Sequence, residues 1–113
     1  MTPLYQELVM QFFVVARFKA ATQISELKPL LDAEQQKARA FYIDETLRQI
    51  WECADTPGVA GIIEAQSNEH LHDILNAFPL IAANYLDLLI IPLKPYGGFG
   101  PHPKSTDIEP SAK

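Results

Sequence analysis

Two kinds of apolar run alternate along this chain. "MQFFVVARF" (10–18) is rich in β-branched and aromatic residues and predicts a strand. It is apolar on both sides, with Phe12, Val14, Ala16 and Phe18 on one and Phe13 and Val15 on the other. Residues 26–43 switch to a helical period, placing Leu27, Leu30, Leu31, Ala38, Phe41 and Tyr42 on one stripe. Ser25 is the expected N-cap, and Pro29 is tolerated only near the first turn. "TLRQIWECA" (46–54) predicts a second strand, "TPG" (56–58) a turn, and "VAGIIEA" (59–65) a third strand. In "SNEHLHDILNAFPL" (67–80), Ser67 caps a second helix and Glu69 sits in its first turn, where the helix dipole favours an acid. Leu71, Ile74, Leu75 and Phe78 form its apolar stripe, and Pro79 ends or kinks it. "YLDLLIIPL" (85–93) predicts a fourth strand, again apolar on both sides.

The order βαββαβ predicts an α+β domain of ferredoxin-like topology, a four-stranded antiparallel sheet with both helices on one face. Two helices cover one face only. The other face of strands this apolar would form a patch larger than monomers ordinarily expose, so a homodimer packed sheet to sheet is expected. Residues 10–93 make up the expected domain. Residues 1–9 read as an N-terminal extension, since Met10 is itself a natural start. Residues 94–113 read as a Pro/Gly-rich tail whose "PYGGFGPHP" part, with two aromatics, is suited to fold over a neighbouring subunit.

Composition narrows the function classes. With 113 residues, 48% hydrophobic and 20% charged, the chain suits one globular domain. Its net charge is −5 and its lysines and arginines form no stripe, which argues against nucleic acid and anionic membranes as partners. No apolar run reaches membrane-spanning length and no signal-peptide pattern precedes the domain, so a cytoplasmic protein is expected. Cys53 is the sole cysteine, which excludes an intrachain disulfide and a cysteine-rich metal site. The H-x-H of His70 and His72 lacks the three- or four-residue spacing of convergent helical ligands, so no metal is expected.

Two blocks of the sequence resemble the muconolactone isomerase family. Thr46, Arg48, Trp51 and Ala54 carry the likeness in the first block. Ser67, Glu69, Leu71, His72, Asp73, Leu75, Pro79 and Leu80 carry it in the second, while Glu34 and Ala38 fit the first helix. The likeness covers roughly residues 30–82. Beyond Leu80 the chain diverges, although a His-Pro pair recurs at His102 and Pro103. The resemblance implies a dimeric α+β barrel whose dimers assemble further, so a homodimer or higher even oligomer. It also implies a cofactor-independent proton-shift isomerisation of a small unsaturated lactone or acid, as in bacterial aromatic-acid breakdown.

Such a reaction takes a proton beside a conjugated system and returns it elsewhere. It requires a base that can act again as an acid, donors for the enolate oxygen and a cation for a substrate carboxylate. The chain offers Glu34 and His72 as the catalytic candidates, Arg48 as carboxylate clamp, and Tyr42 and Trp51 as walls or donors. Each has a plainer reading. His72 lies at the rim of its helix stripe, where histidines are ordinarily solvated. Glu34 at the stripe edge is either a boundary residue or a desolvated carboxylate with a raised pKa. Arg48 and Trp51, an odd number of residues apart, face opposite sides unless a bulge intervenes. That alternation groups Trp51 with Leu47 and Cys53, and Arg48 with Thr46, Ile50 and Glu52 on the more polar side, where Arg48 either clamps an acid or pairs with a neighbouring subunit. Two other functions stay open: a cofactorless monooxygenase or cyclase of aromatic polyketides, and a non-catalytic small-molecule-binding module.

Overall fold

The structure, a computed structural model, describes residues 9–100. The readings for residues 1–8 and 101–113, the His102–Pro103 pair included, lie outside that range. Strands β1 (Met10–Phe18), β2 (Leu47–Glu52), β3 (Gly58–Ala65) and β4 (Leu86–Leu93) form one antiparallel sheet in the order β2-β3-β1-β4. Helices α1 (Lys28–Ile43), α2 (Asn68–Asn76) and the single turn α3 (Pro79–Ala82) complete it. This is the expected βαββαβ α+β fold, with the second helix split in two.

The split follows from Pro79. A residue before proline is pushed out of the helical region, and Phe78 is extended at φ −82° and ψ 124°. Pro79 then opens α3 as its first residue, where the missing N–H costs nothing. Ser67 caps α2 as its sequence predicts, accepting a 3.0 Å hydrogen bond from the His70 N–H. Ser25 does not cap α1. It lies within a 3-10 turn, Ile24–Leu27, that feeds the helix and leaves Leu27 as a cap without a side-chain bond. Pro29 is accommodated in the first turn of α1, where a backbone N–H has no intrahelical partner and its absence costs nothing.

The two longer helices grip the sheet unequally. Leu71, Ile74 and Leu75 of α2 are buried against Phe12, Val14, Leu47, Ile63 and Phe78. Each such side chain stabilises the fold by about 1.5–3 kcal/mol. α1 has no fully buried residue. Leu30 and Leu31 pack against a second cluster of Ala16, Leu27, Leu80 and Leu86, and Ala38 and Phe41 rest on the first. Tyr42, assigned by period to the stripe, is 55% exposed. Phe41 occupies the inward position at that end of α1, its ring 5.5 Å from that of Phe78, and Tyr42 is turned about 100° away around the helix.

One irregularity sets the face of every residue on β2. The register with β3 runs Leu47↔Ile63 and then Gln49↔Ile62, so Arg48 is an extra residue in a β-bulge. Leu47, Ile50 and Glu52 therefore turn towards the helices, while Gln49 and Trp51 turn to the open face. Arg48 reaches the open face too, at 3.5 Å from Glu45 and 4.0 Å from Glu64. Strict alternation had paired Arg48 with Ile50 and Trp51 with Leu47. The bulge reverses both groupings.

Gly61 stands beside this bulge. A Cβ there would lie 2.8 Å from the Gln49 carbonyl oxygen and 3.2 Å from Leu47 Cδ1, so the strand backbone would have to move. Gly61→Ala is expected to destabilise the protein by about 1–3 kcal/mol, the usual cost of overpacking. Urea unfolding of the two proteins measures it directly.

Candidate functional site

Because α1 rests lightly on the sheet, a cavity of about 430 Å³ opens beneath it. One face of α1 forms the roof with Leu31, Glu34, Gln35 and Ala38, a spacing of three and four residues. The floor is the helix-facing side of the sheet: Val14, Ala16 and Phe18 of β1, Ile50 of β2, Gly61 and Ile63 of β3. Leu75, Phe78, Leu80 and Ile81 close one end, and Glu52, Cys53, Pro57 and Gly58 border it where β2 turns into β3. The volume is in the range of small-ligand sites, and the walls are mainly apolar with few polar groups.

Glu34 is the polar group that distinguishes the cavity. Its Oε1 accepts a 2.8 Å hydrogen bond from the Leu80 N–H, supplying α3 with the cap that Phe78 cannot provide. Burial pushes the Glu34 carboxyl above the usual glutamate range, because the cavity wall solvates its charged form poorly. The Leu80 N–H acts in the opposite sense and is the smaller effect. Among the described residues, no cationic side chain forms a salt bridge with Glu34. The result is a carboxyl that exchanges a proton closer to neutrality than an exposed glutamate does.

Of the five residues singled out by sequence, only Glu34 borders this cavity. His72 is exposed on α2, and Tyr42 is exposed at the end of α1. Arg48 and the 49% exposed Trp51 share the open face, across the sheet from the cavity. His70 has a structural task. Its Nδ1 accepts a 2.9 Å bond from the Gln66 N–H, while its own N–H is held by Ser67 Oγ. This reciprocal arrangement resembles a capping box, and it fixes the imidazole proton on Nε2. Gln35, Glu52 and Cys53 border the cavity and carry no periodic signal. The Arg48 bulge decides where Glu52 points, and two-residue alternation cannot reveal a bulge.

Comparison with known proteins agrees with this architecture. The family model for muconolactone delta-isomerase matches residues 10–98. The crystal structure of a muconolactone isomerase at 3.3 Å resolution superposes with a TM-score of 0.66 at 24% identity, covering 77% of this chain and 91% of the other. A 5-chloro-2-hydroxyhydroquinone dehydrochlorinase from Burkholderia phenoliruptrix AC1100, solved with 2,5-dihydroxybenzoquinone, superposes with a TM-score of 0.59 at 14% identity, covering 74% and 93%. No curated protein matches by sequence. At these identities the two structures establish the fold alone.

Two stability measurements test the geometry. Since the folded state holds the Glu34 proton more tightly than the unfolded chain, the contribution of this group is fully present below the ordinary glutamate pKa. It declines as pH rises through the raised value. Glu34→Gln keeps an acceptor for the Leu80 N–H and is expected to remove that decline, seen as a flatter profile of unfolding free energy against pH. His70→Ala should cost about 1 kcal/mol through the lost cap. His72→Ala, at an exposed position, should stay within about 0.5 kcal/mol.

Proposed function

The chain belongs to the muconolactone delta-isomerase family, and from that membership we propose that it is a cofactor-independent isomerase of a small unsaturated lactone or acid. The observation that carries this reading is the desolvated Glu34 carboxyl on the wall of an otherwise apolar cavity. With Oε1 engaged by the Leu80 N–H, Oε2 is the oxygen free to take up a proton. The carboxylate removes a proton from a ring carbon beside the conjugated system, and the C–H electron pair enters the system as a dienolate. The same carboxyl then returns the proton to a different carbon, leaving the C=C bond shifted with no net oxidation or reduction. The Gln35 amide, on the same helix face as Glu34, supplies a hydrogen bond to the enolate oxygen. A base pKa raised towards neutrality suits this double role, because one group must both take and return the proton.

The protein acts as a homodimer joined through the open face of the sheet. Phe13, Val15, Trp51, Ile62, Leu89 and Ile91 lie on that face, with Leu89 56% and Ile91 41% exposed in a single chain. Gln11, Arg17, Arg48, Glu64 and Asp87 surround the apolar centre. An apolar patch with a charged rim is the usual anatomy of a specific interface. Arg48 and Trp51 then serve assembly, and the catalytic group is Glu34.

Glu34→Gln is expected to lower turnover of an unsaturated γ-lactone by about 10²–10⁴-fold, the usual scale for removing a general base. Proton NMR of substrate in deuterated buffer follows the exchange. If His72→Gln abolishes turnover while Glu34→Gln retains it, the assignment of the base is wrong. Ile91→Glu should convert the dimer to a monomer, measured by light scattering at micromolar concentration. A parent protein that is already monomeric there would refute the interface.

A further inference from the structure

In an unbroken helix over residues 68–82, the Leu80 N–H would bond the Asn76 carbonyl four residues back. Pro79 prevents this. It holds Phe78 extended, at φ −82° and ψ 124°, and opens α3 as a separate turn. The first intrahelical bond of α3 runs from the Ala82 N–H to the Phe78 carbonyl, so the Leu80 N–H precedes it and has no helical acceptor. It donates instead to Glu34 Oε1 at 2.8 Å, between positions 46 residues apart in the chain. The Leu80 side chain is buried with Ala16, Leu27 and Leu86, which fixes the place of the donor. Phe78, Leu80 and Ile81 all border the cavity that Glu34 roofs.

We infer that Pro79 is a positioning residue for Glu34: by breaking the helix it frees the Leu80 N–H to hold one carboxyl oxygen, leaving the other to face the cavity. This rests on the isomerase reading. A long side chain has many rotamers, and a base works only with its reacting oxygen within hydrogen-bond reach of the proton it takes. α1 has no fully buried residue, so its own seating aligns Glu34 loosely, and the tie to α3 supplies the alignment. The same bond favours the ionised carboxyl, in opposition to burial, so its loss moves the titration of Glu34 to higher pH. Glu52 and Cys53 are the other titratable groups bordering the cavity among the described residues, and a change at Pro79 leaves both in place.

Pro79→Ala lets Phe78 turn helical and gives the Leu80 N–H an internal acceptor. In the full-length protein, kcat for an unsaturated γ-lactone should fall about tenfold or more while KM stays within about threefold. The rising limb of kcat against pH should move to higher pH, because the base must be ionised to act. In the Glu34→Gln background the same substitution should cost far less, since residues that act through one bond are not additive. Exchange of the Leu80 peptide N–H for an ester oxygen keeps the leucine side chain. It should reproduce these effects, and it carries the test if Pro79→Ala does not fold. Carbon-13 NMR of the Glu34 carboxyl reads the tie without turnover, and both changes should raise its titration midpoint. A parent protein that leaves the lactone unchanged removes the isomerase reading, and the midpoint then decides the positioning role alone. An unmoved midpoint in the ester protein overturns the inference. So does an equal loss of rate from Pro79→Ala with and without the Glu34 carboxyl.

Discussion

A four-stranded sheet with a single helical layer has one covered face, and most features of this protein follow from which face that is. β1 is a central strand, apolar on both sides. Phe12, Val14 and Ala16 are buried beneath the helices, while Phe13 and Val15 on the opposite side are only half-buried. β4 repeats the pattern with Leu89 and Ile91. Among the described residues, no further element covers that second face, because both crossovers place their helices on the same side. Apolar area on that face is therefore left exposed in a single chain, and the proposed dimer rests on it.

The covered face is itself divided. α2 is driven onto the sheet by three fully buried side chains, whereas α1 makes its contacts through half-buried ones and stands above a void. Close packing throughout would leave no room for a ligand, so the weak seating of α1 is what makes a site possible. Gly61 keeps the floor clear, and the Arg48 bulge determines that Ile50 and Glu52 border the cavity while Trp51 does not. The roof is tied down at one point by Glu34 on Leu80, which links α1 to α3 across the end of the cavity.

That tie places two opposing demands on one carboxyl. Capping α3 favours the ionised form of Glu34, and desolvation favours the neutral one; desolvation is the larger effect. The net shift is upward, so Glu34 holds its proton to a higher pH than a fully exposed glutamate does. The same residue is thus both part of the scaffold and the group proposed to react, and Glu34→Gln is informative because it preserves the first role while removing the second.

Much of the fold was legible in the residues. β1 came directly from its β-branched and aromatic residues, α2 from Ser67 and the Leu71–Ile74–Leu75 stripe, and the break after Phe78 from Pro79. The unpartnered face followed from strands apolar on both sides. These are local signals, set by backbone sterics and by spacing within one element. Glu34 was visible only as an acid at the edge of a stripe, because its neighbour Leu80 lies far along the chain and desolvation depends on what packs around it. The sequence singled out His72 over His70, but no helical period could show that the His70 imidazole accepts from the Gln66 N–H. Arg48 and Trp51 share one face rather than taking opposite ones because a single extra residue in β2 inverts the alternation beyond Arg48, and only pairing with β3 reveals it. Sequence periodicity by itself determined the elements and their order. Tertiary packing decided which side chains share the cavity, since contact across elements depends on register and distance that no local pattern encodes.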